Sequence, residues 1–333
     1  MIIKGLYTMF IGVDHGTTAM RFVAIDDDLV EPLQLEISRG KAASMTKDEI
    51  LSLICDSFSV HLNDIKMVAM TYSMGDGMTF FEDMHAVEGR GVRSIEGAGK
   101  KTGGGSRIFD AISDSAIPAV LVPGIHDMSN TDSRLNIFSH STSPEKLGIA
   151  YHAMCMGFED FILSDISSNT VTLAVANNKV IGAIDACIFA PGLRHGPLDV
   201  QALRDVDAGQ ISANDAFMNA GVLKHTSFSD RHELLKAYKN GDENAILALD
   251  TIALFAAMEI SSMQILLKDY NTLGEIILEG SIGEMLAVVE KINKHLDVKC
   301  HVLDRWSAAE GCAEIARDIA AGQKEILGIP VNL

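Results

Sequence analysis

Three short segments of the sequence place an acidic residue directly before a turn of small residues. They are Asp14-His15-Gly16-Thr17-Thr18, Asp165-Ile166-Ser167-Ser168-Asn169-Thr170 and Glu279-Gly280-Ser281-Ile282-Gly283. A turn of Gly, Ser and Thr exposes several backbone N–H groups and hydroxyls at once, and such a concavity binds phosphate. An aspartate at the end of a strand can hold Mg²⁺ through water or position a nucleophile. Together the segments predict a phosphate and Mg²⁺ site, although a plain hairpin explains either of the first two taken alone.

Apolar runs on both sides of the first two turns predict the strands that position them. One run ends at Asp14 and a second spans Met20–Ile25, while strands around Asp165 continue through Val171–Ala176 and Lys179–Asp185. Asp14 and Asp165 are 151 residues apart (165 minus 14), nearly half of the 333 residues. This long-period echo predicts an α/β protein built from two βββαβα-type halves.

The remaining elements follow from hydrophobic periodicity and capping residues. Thr46 is predicted to cap a helix over 46–63, and Ser143 with Pro144 to begin another. Nine of the 28 glycines fall in residues 75–105, which predicts an irregular loop. Further helices are predicted at 211–238, 242–268, 284–295 and 307–322, and further strands at Ile65–Tyr72, Ala119–Val122, Glu275–Glu279 and Lys299–Leu303.

Length and charge limit the classes of function. At 333 residues the chain suggests two domains, placed at 1–145 and 146–333, with the last helix packing back toward the first. Lys+Arg 27 minus Asp+Glu 45 gives a net charge of −18, which argues against non-specific nucleic-acid binding. The same charge does not exclude a small anionic ligand, because backbone N–H groups can hold phosphate.

Cysteine usage and hydropathy indicate a reduced, soluble, cytoplasmic protein. The five cysteines form no CxxC pair, and His126, His140, His152 and His195 form no metal-spaced pair, so neither disulfides nor zinc are expected. The apolar segment Ala245–Leu267 is interrupted by Asp250 and Glu259, which a bilayer centre disfavours. A core helix is predicted there, with no membrane partner.

The ordered set of three turns resembles the superfamily of actin, heat-shock-70 chaperones, sugar kinases and acetate kinase. The resemblance implies an α/β, duplicated ribonuclease H-like (actin-like ATPase) fold, with a nucleotide cleft between two domains and ATP or ADP with Mg²⁺ as cofactors. The segments take the places of the phosphate 1, phosphate 2 and adenosine motifs, with Asp14 and Asp165 as catalytic and metal residues. The nucleotide-contacting residues it implies are Gly16, Thr17, Thr18, Ser167, Ser168, Asn169, Gly280, Ser281 and Gly283.

Longer stretches resemble butyrate kinase. Val87–Gly99 (VEGRGVRSIEGAG) and Asn136–His152 (NIFSHSTSPEKLGIAYH) are similar to segments that precede its second phosphate motif. By this resemblance Arg90 would clamp a carboxylate or the transferring phosphoryl group, with Asp127 near the same site and Arg204 in a matching segment. A solvated loop position for Arg90 and a turn or capping role for Asp127 are equally open. Asp76 is either a base or part of a Gly-Asp-Gly turn.

The chain also departs from the acyl kinases. Asp14 stands where butyrate and acetate kinases carry Asn, and Ser167-Ser168-Asn169 replaces a glycine-rich turn, so Cβ atoms would hold the backbone farther from a phosphate. Glu279 precedes Gly280 where kinases commonly have Thr or Gly. Over its whole length the sequence resembles the methanogenesis marker protein 12 family, an archaeal family assigned to this fold.

Three functions stay open at this point. The first is Mg²⁺-dependent phosphoryl transfer from ATP to a small acceptor linked to methanogenesis. The second is nucleotide-driven assembly or activation of a methanogenesis enzyme, which would be a protein partner. The third is a catalytically silent scaffold, so enzyme status is left open. A homodimer is an expectation that comes from the acyl-kinase resemblance.

Overall fold

The computed structural model describes residues 8–16, 18–27, 29–71, 78–87 and 103–333. Thr17, Asp76 and Arg90, together with most of the glycine-rich loop, lie outside the described residues. The chain forms two compact units: unit 1 comprises Met1–Phe158 and Trp306–Leu333, and unit 2 comprises Glu159–Arg305. The domain division expected near residue 145 falls inside a helix of unit 1.

Short strands make up three sheets in the described residues. The strands are β1 (Met9–His15), β2 (Ala19–Ile25), β3 (Leu33–Ser38), β4 (Ile65–Met70), β5 (Phe81–Asp83), β6 (Ala119–Leu121), β7 (Ile125–His126), β8 (His140–Thr142), β9 (Phe161–Ile166), β10 (Thr170–Ala176), β11 (Lys179–Ile184), β12 (Glu275–Glu279), β13 (His301–Val302), β14 (Glu325–Ile326) and β15 (Ile329–Asn332).

Helices cover the sheets of both units. They are α1 (Arg39–Ser44), α2 (Lys47–Phe58), α3 (Gly104–Ser113), α4 (Pro144–Cys155), α5 (Val200–Asp207), α6 (Ala213–Met218), α7 (Arg231–Lys239), α8 (Glu243–Asp269), α9 (Leu286–Leu296) and α10 (Ser307–Ala320). Short 3-10 turns occur at Leu62–Asp64, Ser133–Leu135 and Val222–His225. Thr46 caps α2 with a reciprocal capping box to Glu49, as its sequence predicts.

The two units repeat one strand order. In unit 1 the main sheet contains β3-β2-β1-β4-β6, and in unit 2 the sheet is β11-β10-β9-β12-β13. Both begin with two antiparallel pairs and continue with two parallel pairs. The internal duplication predicted from the echo of Asp14 and Asp165 is confirmed, because each aspartate lies near the end of the first strand of its unit.

Two of the helical and loop predictions need correction. Residues 211–238 are not one helical run, since α6 and α7 are separated by a 3-10 turn and irregular chain. The amides of Gly221 and Val222 donate instead to the carbonyls of Arg194 and Gly192, at 2.6 and 3.1 Å. These tertiary hydrogen bonds replace the helical ones. The predicted loop also ends earlier, because α3 begins at Gly104.

The long apolar helix α8 is a core element of unit 2. By length and composition it could cross a membrane, and half of its most apolar window is buried. Its inner face packs with Leu249, Ile252, Ile260 and Leu267 among the fully buried residues. The prediction of a core helix from its two interrupting carboxylates therefore agrees with its packing.

Helix α10 packs on β1 at a point where only glycine fits. A Cβ built on Gly12 would lie 1.9 Å from the carbonyl oxygen of Ala309 and 2.3 Å from the amide nitrogen of Ala313. The other side of α10 meets α4 equally closely, because a Cβ on Gly311 would lie 1.8 Å from the carbonyl oxygen of Gly148. Backbone therefore contacts backbone on both sides of α10, and neither neighbour can move aside by a side-chain rotation.

We predict that Gly12→Ala destabilises unit 1, because the added methyl forces α10 away from β1. Overpacking of this kind costs about 1–3 kcal/mol, which thermal denaturation followed by circular dichroism would detect. Gly40→Ala is the matched control, since a Cβ there has nothing within 4 Å. Equal melting temperatures for the two variants would contradict the packing described.

Candidate functional site

The carboxylate of Asp14 is buried at the end of β1. Its Oδ2 accepts a hydrogen bond from Arg21 Nη1 at 3.0 Å, and Arg21 lies directly opposite on β2. Arg21 Nε in turn lies 3.3 Å from Glu36 Oε2 on β3. The three side chains form a row of alternating charge across the hairpin, and Arg21 is partly neutralised from both sides.

The beginning of α4 brings a second acid toward Asp14. Lys146, which is buried, donates from Nζ to Glu145 Oε1 at 2.7 Å, and Ser143 Oγ donates to the same oxygen at 2.8 Å. Ser143 occupies the N-cap position as predicted, yet its hydroxyl binds Glu145 instead of capping the helix. Burial alone would raise the pKa of Glu145, but the adjacent Lys146 charge and these hydrogen bonds lower it to about 2.

These charges leave Asp14 incompletely compensated. Burial is the largest influence on its pKa and raises it, and the charge of Glu145 adds to this effect. Arg21 and Lys146 act in the opposite direction, and the pKa settles at about 6, above its ordinary value of 3.8. At neutral pH the ionised carboxylate of Asp14 is therefore buried in unit 1, where it is less stable than it would be in water. Buried acids with a shifted pKa are common in functional sites.

The turn after Asp14 is fixed by His15 and Arg39. The amide of His15 donates to Thr71 Oγ1 at 2.9 Å, and Arg39 Nε donates to the carbonyl of Gly16 at 2.9 Å. Arg39 Nη2 also lies 3.2 Å from His15 Nδ1, which must act as the acceptor because guanidinium only donates. Burial and the Arg39 charge lower the pKa of His15 to about 3, so the ring is neutral.

The second turn and the third turn meet in unit 2. Asp165 is buried on β9, in register with Glu279 on β12. Gly280 has a φ of +93°, and a Cβ built on it would lie 2.4 Å from Asp165 Oδ1. The amides of Ile282 and Gly283 both donate to the carbonyl of Ile166 at 2.9 Å. The structure thus joins the second and third segments into one backbone cradle. A side chain at Gly280 would not fit in this cradle.

The segment from Ala190 to His195, here called the support segment, lies against the second turn. The amide of Leu193 donates to the Ser167 carbonyl at 3.0 Å, and the amides of Arg194 and His195 donate to the Ser168 carbonyl at 2.9 and 2.8 Å. Gly192 is in backbone contact with the turn, since a Cβ there would lie 2.4 Å from Asn169 Cα. The carbonyl groups of Ser167 and Ser168 are therefore hydrogen-bonded to the support segment.

Arg231 is a residue of this site that sequence reasoning missed. It is the first residue of α7, and its Nη2 donates to the carbonyl of Ser281 at 2.7 Å. Glu284 Oε1 lies 3.8 Å from the same nitrogen. The sequence predicts a helix in this region but not its contact with a turn 50 residues away along the chain.

Two further residues predicted for the site, Asp127 and Arg204, are exposed on the surface of their units. Asp127 is exposed after β7, and its amide donates to the Ser139 carbonyl at 3.4 Å within the β7–β8 hairpin. Arg204 is exposed on α5. The roles expected for both stay predictions. His126 and His140 make a T-shaped ring contact at 4.9 Å, which their sequence spacing did not suggest.

The residues of these turns fit a magnesium nucleotide by their chemistry. Within the described part of the chain no group of three or more His, Cys, Asp or Glu side chains could hold a metal by itself. Mg²⁺ commonly binds through one or two carboxylates plus substrate phosphates and water. Asp14 in unit 1 and Asp165 in unit 2 each supply such a carboxylate, and Gly280 allows the third turn to lie directly against Asp165 and Ile166.

Comparison with known proteins places the chain among methanogen proteins of one family. No protein-family model matches it. A UPF0285 protein of Methanosarcina acetivorans is 61% identical over 323 residues, covering 97% of this chain and 99% of the relative. A UPF0285 protein of Methanococcus maripaludis is 44% identical over 332 residues, with the same coverage.

Three of the solved structures that resemble the chain are kinases. Acetate kinase from Porphyromonas gingivalis has a TM-score of 0.65 at 12% identity, covering 94% of this chain and 99% of that one. Propionate kinase from Francisella tularensis has a TM-score of 0.62 at 14% identity, covering 91% and 98%. A ROK family glucokinase from Streptomyces griseus, solved with glucose and AMPPNP, has a TM-score of 0.50 at 16% identity, covering 93% and 99%. These likenesses confirm the predicted ribonuclease H-like, actin-like ATPase fold.

The raised pKa of Asp14 predicts a specific loss of stability with pH. Its protonated form favours folding, so this contribution is complete below about pH 4 and is lost as the pH rises through about 6. A shift of two pKa units corresponds to about 3 kcal/mol. Asp14→Asn should therefore gain stability relative to the parent protein between pH 4 and pH 7, in chemical or thermal denaturation.

Glu31→Gln is the control for that measurement, because Glu31 is exposed. Its denaturation midpoint should follow that of the parent protein across the same pH range. Parallel pH profiles for Asp14→Asn and the parent protein would contradict the electrostatic account of Asp14.

Proposed function

Because the chain belongs to the UPF0285 family and has the fold of acetate kinase, we propose that it binds a magnesium nucleotide, ATP or ADP, and transfers a phosphoryl group to a small acceptor. The observation that carries the proposal is the cradle of unit 2. There the Asp165 turn and Gly280–Gly283 are joined by backbone hydrogen bonds, and a Cβ at Gly280 would collide with the Asp165 carboxylate. The acid-turn arrangement repeats in unit 1 at Asp14.

Each turn receives a role in this proposal. Gly280, Ser281 and Gly283 contact the nucleoside, and the turn of Ser167, Ser168 and Asn169 contacts phosphate through hydroxyls and backbone N–H groups. The Ser167 N–H is not one of these groups, because it donates to the Asn169 carbonyl at 2.7 Å. The turn of Gly16, Thr17 and Thr18 does the same in unit 1. Asp14 in unit 1 and Asp165 in unit 2 are the carboxylates that would hold Mg²⁺ through water. The bound metal supplies neutralisation of the phosphate charge.

Phosphoryl transfer requires positioning and charge stabilisation more than covalent chemistry by the protein. The positive side chains of unit 1 have distinct partners: Arg21 lies between Asp14 and Glu36, Lys146 binds Glu145, and Arg39 holds the Gly16 carbonyl. They organise the turn and its acids. In the proposal, the residues that contact the acceptor are Arg90, Asp127 and Arg204.

A second function is favoured by the sequence of the second turn. In the kinases that this chain resembles, the second turn is rich in glycine, whereas here it consists of Ser167, Ser168 and Asn169. Because their Cβ atoms hold the backbone farther from a phosphate, the turn suits nucleotide binding with slow or no turnover. Nucleotide binding would then drive assembly or activation of another protein in the cytoplasm of a methanogen. Affinity capture from a methanogen extract with and without Mg-ATP tests this function. A partner that is retained only with nucleotide supports it, and identical captures contradict it.

We predict that isothermal titration detects Mg-ATP or Mg-ADP binding to the parent protein and that Asp165→Asn weakens it about tenfold or more, the equivalent of about 1.4 kcal/mol. The amide keeps the shape of the side chain but removes the charge that orients the metal. Glu31→Gln should bind as the parent protein does. Failure of the folded parent protein to bind either nucleotide would overturn the proposed function.

Arg231→Ala separates the nucleoside contact from the phosphate contact. Loss of its hydrogen bond to the Ser281 carbonyl should loosen the Gly280–Gly283 turn and weaken Mg-ATP binding by about fivefold, the equivalent of about 1 kcal/mol. Binding of Mg-pyrophosphate should be unchanged in Arg231→Ala and weakened in Asp165→Asn. Equal losses for both ligands in Arg231→Ala would contradict the assignment of this turn to the nucleoside.

A further inference from the structure

Glu259 is a buried acid in the middle of α8 that the proposed chemistry does not use. Its side chain has no exposed surface. Glu259 Oε1 accepts a hydrogen bond from the amide of Ala190 at 3.3 Å, and the hydroxyl of Thr172 is a second hydrogen-bond partner. Thr172 also shares a hydrogen bond of 2.9 Å with Ser164 on the neighbouring strand. A small cluster of polar side chains, those of Glu259, Thr172 and Ser164, is thus enclosed in the apolar core between α8 and the sheet.

The surroundings of Glu259 favour its neutral form. Burial is the main cause that raises its pKa, to about 8, and the hydrogen bonds from Thr172 and Ala190 oppose this only in part. Asp185, which follows β11, is the charged group that acts on it, and its negative charge adds to the increase. Thr172 and Ser164 of the sheet are uncharged. At neutral pH Glu259 is therefore an uncharged carboxylic acid, whose Oε1 accepts the hydrogen bond from Ala190.

The two contacts of Glu259 flank the second phosphate turn. Ala190 begins the support segment, which donates its amides to the carbonyls of Ser167 and Ser168. Thr172 lies on β10, which starts at the end of the same turn. Thr170 Oγ1, at the start of β10, donates to the Pro191 carbonyl at 3.0 Å and closes the connection. Movement of Glu259 would therefore reach the turn from both sides.

We propose that Glu259 is a positioning residue for the second phosphate turn, and that its protonated carboxyl fixes the support segment against Ser167 and Ser168. Ionisation would place an uncompensated charge in an apolar core, which strongly disfavours that state. The support segment would separate from α8 to admit water, and the turn would lose its backing. The link to nucleotide affinity rests on the proposed function, whereas the rigidity of the turn does not.

Hydrogen exchange tests the positioning role without any nucleotide. Exchange of the amides of Leu193, Arg194 and His195 is measured by mass spectrometry from pH 6.5 to pH 9.5, after correction for the intrinsic pH dependence. In the parent protein, protection should fall by up to about tenfold for each pH unit between pH 6.5 and about 8, where the opened form is ionised and the closed form is not, and it should level off above pH 8. Glu259→Gln keeps an acceptor and a donor but cannot ionise, so its protection should stay flat. Glu243→Gln, an exposed acid on the same helix, should behave as the parent protein.

Two results would overturn the proposal. One is flat protection in the parent protein up to pH 9.5, which is decisive even if Glu259→Gln folds poorly. The other is an equally steep loss in a folded Glu259→Gln. In a parallel titration, Mg-ATP affinity of the parent protein should fall between pH 6.5 and about pH 8, and that of Glu259→Gln should not. Absence of nucleotide binding at every pH would contradict the proposed function alone, because the exchange result would stand.

Discussion

A buried carboxylate at the end of the first strand is the constraint around which unit 1 is organised. Asp14 is held by Arg21 across the hairpin and lies within the electrostatic reach of Glu145 and Lys146 on α4. Helix α4 itself is held by α10, which meets β1 at Gly12 with no room for a methyl group. The C-terminal helix therefore positions the charges around Asp14, although it contributes none of the residues that contact the carboxylate in the described part of the site.

Unit 2 repeats the strand order but supports its aspartate differently. Asp165 lies against Gly280, and the turn that follows it is backed by the support segment. An acidic chain can suit a polyanionic ligand when backbone groups, and not basic side chains, form the binding site. The net charge of −18 describes the whole molecule, whereas the proposed nucleotide binding would depend on a few backbone N–H groups, a glycine cradle and a divalent cation. The acidity argues against non-specific binding to nucleic acid but not against a nucleotide.

The features that could be predicted from the sequence are those that depend on near neighbours. The hairpins at Asp14 and Asp165 follow from apolar alternation and small turn residues, and the Thr46 cap follows from a glutamate three residues later. The pairing of Arg21 with Asp14 could have been found by counting across the hairpin. Glu145 and Lys146 could not, because they meet Asp14 only through the packing of α4 and α10. The interruption between α6 and α7, and the contact of Arg231 with Ser281, depend likewise on hydrogen bonds between distant segments.

The proposed site of a magnesium nucleotide is the cradle of unit 2, where the Asp165 turn and Gly280–Gly283 are joined by backbone hydrogen bonds. The most direct measurement is a crystal structure determined with Mg²⁺ and a non-hydrolysable ATP analogue. We expect nucleoside density against Gly280–Gly283, phosphates at the turn of Ser167–Asn169, and Mg²⁺ within one water molecule of Asp165. Well-ordered turns without nucleotide at saturating concentration, or a nucleotide bound away from the cradle, would contradict this expectation.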